Sequence, residues 1–252
     1  VLNKGEYMQE KHFKLRTDLT IQFGNKTLYR IEATKDSKYV NKGVLGGYVE
    51  KEENLRDNAW VSDNAQVSGN ARISGNARIS DNAQVSGNAR ISGNARISDN
   101  ARVSGNARIS GYTLVSDNVH VYDNARISGN AHVYDNARIS DNAQVSGNAR
   151  ISGNALVYGN AWVYNNAQVF GDARVSHKMI LKQTTDLIYI SGLRFNASIS
   201  LTGINVGCKH YVDLQDFESR YKKEGQDNNY TDIELKYLHT SIKNTLKLIN
   251  KL

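Results

Sequence analysis

The chain has 252 residues, 39% of them apolar, and a formal net charge of +7, which suits one large domain or two modest ones with a thin core. No run of 18 apolar residues occurs, so a helical membrane span is excluded; a single cysteine, Cys208, excludes a disulfide framework and a cysteine-based metal cluster. Proline is absent, so the fold must need nearly every backbone N–H.

The N-terminus shows no apolar h-region, and ordinary secretion is not expected. Lys4-Gly5-Glu6-Tyr7 can be encoded by a purine-rich ribosome-binding site just before Met8. Translation is therefore expected to begin at Met8, in a bacterial or bacteriophage gene. Residues 1–56 read as an N-terminal cap. Leu19 to Phe23, Gly24-Asn25 and Thr27 to Ala33 have the pattern of a hairpin.

From Asp57 to Ser176 the chain is a run of six-residue units with the consensus (Gly/Asp)-Asn-Ala-(Arg/Gln)-(Val/Ile)-Ser. Ala and Val/Ile are two apart, so they share one face of an extended strand, and the residue between them points outward. The Gly/Asp-Asn pair makes a corner, since these types tolerate positive φ. Residues 63–80 are repeated identically at 81–98, so three hexads make one coil and coils stack at about 4.8 Å as parallel strands. Coil-to-coil hydrogen bonding accounts for the missing proline. The hexads hold ten arginines and nine aspartates, while each flank holds eleven basic and eight acidic residues. The basic excess thus belongs mostly to the flanks.

Residues 177–252 read as a C-terminal α+β module. Strands are expected at Leu187 to Ile190, Ala197 to Leu201 and Ile204 to Cys208, then a helix from Asp213 to Lys223. Thr231-Asp232-Ile233-Glu234 is a capping box opening a second helix. Its apolar face is expected to comprise Ile233, Leu235, Leu238, Ile242, Leu246 and Ile249.

An aliphatic residue every six positions with a small residue two before it resembles the hexapeptide-repeat, left-handed parallel β-helix. The handedness comes from that resemblance; general crossover rules favour the opposite hand. The block from Gly46-Gly47-Tyr48 to Asn54-Leu55, followed by hexads, is similar to the YdcK-type family of bacterial and prophage proteins, often called transferases by fold analogy. The wider fold group implies a CoA-dependent acyltransferase as one function, with a coil histidine as general base and a loop extruded from the coils. His120 and His132 occupy outward slots, but they lie on different columns, no loop interrupts the hexads, and no orienting partner is apparent. Zinc chemistry of the γ-carbonic anhydrase type lacks the histidine pairing it needs. The outward slots are charged, which argues against an ice-binding face.

Three surfaces remain. Arg72, Arg90, Arg108 and Arg126 are eighteen apart and should form a ladder able to bind an anionic surface. Asp63, Asp81, Asp99, Asp117 and Asp135 form a second ladder, read as turn formers before calcium ligands. In the later coils His120, Tyr122, Arg138, Leu156 and Tyr158 should be neighbours, a mixture of aromatic and arginine side chains that suits an interface or a dock for the C-terminal module. The expected function is non-catalytic: a phage- or prophage-type binding or assembly protein whose rigid surface engages a macromolecular partner. That partner is expected to be a host or phage protein rather than nucleic acid or membrane. No cofactor or metal is expected. Self-association through the later coils or the C-terminal module is a further expectation, with location in the bacterial cytoplasm or the virion.

Overall fold

Each hexad forms a two-residue strand and a turn, as at Arg90–Ile91. The residue opening the turn is left-handed, with φ from 55° at Asp141 to 79° at Gly111. Its asparagine neighbour is not, so only the first corner residue supplies the positive φ expected of both. Asparagine has another role. Its Nδ2 donates to the Oδ1 of the asparagine one coil on, at 3.1 Å from Asn88 to Asn106 and again from Asn106 to Asn124. Such ladders run along the corners, and Tyr112 interrupts one of them.

The backbone explains the composition. Within a hexad the asparagine, arginine and serine N–H groups donate to the next coil, as in Asn88 to Gly105, Arg90 to Ala107 and Ser92 to Ile109. The alanine N–H closes the turn, as in Ala89 to Ser86. The corner residue needs positive φ. Proline fits none of these positions, because it has no N–H and its φ is fixed near −65°. Inside, Val/Ile and Ala stack from coil to coil in one continuous buried column. Thr113 takes an alanine slot and donates its buried hydroxyl to the Ser110 carbonyl at 2.6 Å.

In this computed structural model, which describes residues 11–37, 39–176, 179–181, 188–190, 197–200, 203–206 and 209–249, the strands stack as three parallel sheets. We call them face I (outward residues Tyr48 through His120 to Arg174), face II (Arg72 to Trp162) and face III (Trp60 to Gln168). The result is a mainly β parallel solenoid of about seven coils with N-terminal strands and a C-terminal module of two helices and a small sheet. The expected start at Met8 lies outside the described residues, as do Leu187, Leu201 and Cys208.

The parallel ladder continues past the hexads at both ends. β1 (Phe13–Phe23) and β2 (Lys26–Ala33) form the hairpin, and β3 (Leu45–Val49) pairs antiparallel with β2. β3 also pairs parallel with Gln66–Val67, so it is the first rung of face I. A Cβ on Gly46 would lie 2.4 Å from the Val61 carbonyl, and one on Gly47 would lie 2.7 Å from that of Ala65. That close approach is why two glycines precede Tyr48. Buried Asn54 accepts from the Lys51 N–H at 3.0 Å and donates to the Ala71 carbonyl at 2.8 Å. This places Leu55 against Ile73 as a first rung of face II. At the far end Ile180–Leu181 pairs with Trp162–Val163.

The C-terminal module closes face I. There is no further coil for the Arg174 peptide to bond. Instead its N–H donates to Ser198 Oγ at 2.8 Å, and its carbonyl accepts from Asn205 Nδ2 at 2.6 Å. Asn205 Oδ1 accepts from Ser176 Oγ at 3.0 Å and meets His210 Nδ1 at 2.8 Å. Ser198, Asn205 and His210 belong to a four-stranded antiparallel sheet of Ile188–Ile190, Ala197–Ser200, Gly203–Val206 and Lys209–Tyr211. The last of these strands lies beyond the strands expected from the sequence.

Helix α1 (Leu214–Asp227) is capped by Asp213 and runs one turn past the expected end. Gly225 continues it because Leu235 packs where a Cβ would sit, 2.2 Å from the Leu235 Cδ2. Helix α2 (Asp232–Ile249) opens on the expected capping box: the Thr231 N–H donates to Glu234 Oε2 at 2.7 Å. The expected apolar face needs one correction. Ile233 is 82% exposed, whereas Leu235, Leu238 and Ile242 are buried. Two residues along a helix are 200° apart, so Ile233 and Leu235 cannot share a side. The Ile249 side chain lies outside the described residues.

Candidate functional site

Position four of each hexad points outward because its neighbours at three and five fill the core. On face II this sets Arg72, Arg90, Arg108 and Arg126 side by side in register. All four are exposed. The corners flanking the first three are glycines, from Gly69 and Gly75 to Gly105 and Gly111. The aspartate ladder lies at the corner joining face III to face I, opposite face II. Its carboxylates serve the turn. Asp81 Oδ2 accepts from Ser80 Oγ at 2.7 Å and from the Asp99 N–H at 3.4 Å. Among the described residues, none of the four guanidinium groups has a hydrogen-bond or ion-pair partner.

Like charges at the strand spacing of about 4.8 Å repel by roughly 0.9 kcal/mol per neighbouring pair in water, less with salt. An anionic surface relieves that repulsion in a way one carboxylate cannot. Beyond Arg126 the face changes to Gln144 and then to Trp162, which is 49% exposed. Face II is thus a basic strip with an aromatic end.

Face I brings the second set together. His120 lies between Arg102 and Arg138, and Arg138 pairs with Leu156. Tyr122 and Tyr158 are half-buried in the same coils, with buried Ser140 at the level between them. Arg102, Ser104, His120, Tyr122 and Asp123 line a shallow groove. Burial holds the His120 imidazole below its ordinary pKa, and the two guanidinium charges push the same way. His132 is on face III, between Leu114 and Arg150. The two histidines are on different faces, and among the described residues neither imidazole makes a hydrogen bond. A general base at either would have no side chain to orient it.

Sequence reasoning missed a third arrangement. The cap segment 39–45 leans over face III and encloses a cleft of about 650 Å³ lined by Arg30, Tyr39, Trp60, Arg78, Arg96 and Leu114, among others. The one signal for it was Leu114 in a slot otherwise polar in its neighbours. Among the described residues, no three histidine, cysteine or acidic side chains converge as metal ligands, and no helix is long and apolar enough to cross a membrane.

Stretches covering residues 65–117, 119–165 and 167–183 match the model of the YdcK beta solenoid repeat as a series of overlapping copies. The coils between residues 65 and 183 thus match the YdcK beta solenoid repeat. No curated protein matches the chain at a significant level. The YdcK repeat carries the architecture, and the irregular hexad at 111–116 falls inside a matched stretch. What a YdcK solenoid does must be read from the side chains it displays, because a fold hosts many functions.

Proposed function

We propose that this YdcK-type solenoid is a non-catalytic binding or assembly protein that engages an acidic macromolecular surface through face II. The partner in this reading is a protein of a bacterial host or phage, as a prophage-type gene would supply. The observation that carries it is the arginine ladder: four exposed guanidinium groups in register, the first three between glycine corners, with no partner among the described residues. Arginine matches carboxylates with a planar fork and keeps its charge at any physiological pH. A rigid strip of such groups speeds encounter with an oppositely charged surface and sets its register. Trp162 at the end of the strip adds the kind of side chain that anchors interfaces.

The test is retention of a host or phage protein on immobilised wild-type chain. The expected result is one partner that elutes as salt rises and is lost from the Arg90→Glu/Arg108→Glu variant. Retention unaffected by the double reversal would overturn the reading. Acyl transfer is the alternative, favoured only by the lowered imidazole pKa that burial and its two arginine neighbours give His120. It would require acyl-CoA-dependent transfer that His120→Ala abolishes.

A further inference from the structure

We propose that the cleft between the N-terminal cap and face III binds a small amphipathic monocarboxylate. Its head would sit on Arg78 and Arg96, and its aliphatic body against Val44, Leu45 and Leu114. This site is separate from face II and does not depend on the function proposed for it.

The first argument is a cation fixed in place without an anion. Arg78 is half-buried, and its guanidinium carbon lies 3.4 Å from the centroid of the Tyr39 ring. Stacking on an aromatic face holds the guanidinium plane and leaves its N–H groups pointing outward from the edge. Among the described residues no acceptor takes them. Arg96 is the next residue in register along face III, is exposed, and its guanidinium has no acceptor among the described residues either. Two adjacent forks of this kind suit a carboxylate.

The second argument is apolar surface. Val44 and Leu45 are 45% and 38% exposed, and both line the cleft. Leu114 extends the apolar wall one coil beyond Arg96. Arg78 to Leu114 spans two coil spacings, about 10 Å, the length of a medium aliphatic chain. The cleft's volume of about 650 Å³ is in the range of small-ligand sites.

The third argument is where the repeat fails. After two identical eighteen-residue laps, residues 111–116 read Gly-Tyr-Thr-Leu-Val-Ser. Tyr112 gives up an asparagine ladder bond, and Thr113 brings a hydroxyl into the core. The same hexad supplies the leucine at the far end of the cleft. Asp63 also lines the cleft, with Oδ2 engaged by Ser62 and the Asp81 N–H. Its charge disfavours a second negative group on the ligand, hence a monoanion.

Octanoate is the probe. Trp60 is 7% exposed and lines the cleft, and Trp162→Phe leaves it the sole tryptophan. Octanoate should produce a saturable change in Trp60 fluorescence at millimolar concentration or below. Arg96→Gln should weaken binding about tenfold, the loss of one charge-assisted contact. Leu114→Arg restores the repeat consensus, so the coil should fold with its melting curve unchanged while saturation is lost. Arg150→Gln, on the same face beyond the cleft, should bind as the parent does. Failure to saturate, equal binding of octanol or octylammonium, or unaltered binding in Arg96→Gln would each overturn the proposal. None of these outcomes bears on the partner of face II.

Discussion

The middle of the solenoid and its two ends satisfy the same backbone by different means. In the middle every coil is the partner of the next, so Arg90 N–H meets Ala107 and Ser92 N–H meets Ile109 through geometry alone. Any hexad serves there, and nearly identical ones do. At the ends no next coil exists, and single residues finish the ladder. Asn205 and Ser198 close the Arg174 peptide, while Asn54 and the glycines before Tyr48 start the stack. Stability in the middle is shared among many equivalent bonds; at the ends it rests on side chains that occur once. Uncapped solenoid edges also invite pairing with other chains.

The strongest way to break this comparison is at Asn205. Asn205→Ala removes the amide that bonds the Arg174 carbonyl, the Ser176 hydroxyl and the His210 ring. We expect a loss of about 3 kcal/mol in urea unfolding, together with aggregation as the edge is freed. A loss no greater than that of a mid-solenoid corner would put the ends and the middle on the same footing. The matching substitution in the middle is Asn106→Ala. It removes two exposed ladder bonds, and about 0.5–1 kcal/mol should be lost, with no change in association state.

The smallest effect sharpens the comparison by pH. Partial burial raises the Glu50 carboxyl, but the Lys26 ammonium and the Gly69 N–H outweigh it and hold the group below its ordinary value. A carboxyl lowered in the folded state adds stability that is complete above its unfolded value, near 4.5. That stability is lost as pH falls through the lower folded value. Wild type should therefore lose more stability than Glu50→Gln between about pH 6 and 3. Parallel curves would mean that Glu50 does not secure the first coil.

Much of the fold was legible because the repeat is covalently local. Val/Ile and Ala could be placed inside, and Arg72 to Arg126 on one column, from spacing alone. The capping box at Thr231 and Glu234 and the turn at Gly24 were legible for the same reason. Other features were not. Ile233 looked apolar enough for the core, yet α2 turns it to solvent. Asn was rightly read as a corner residue, but the bond from its amide to an amide eighteen residues away was not. The Tyr39–Arg78 stack could not be read from either residue, since it depends on how the cap folds back.

By itself, the sequence determined the period, the inward and outward sides, and the order of residues along each face, because a residue's surroundings in the coils are reproduced one lap later. Only the tertiary structure decided how the stack begins and ends and where a cleft opens. Those features rest on unique contacts between distant segments, such as His12 with Ala59 and Asn205 with Arg174. No periodicity encodes them, because each is made once, by chain that has to fold back before the two groups can meet.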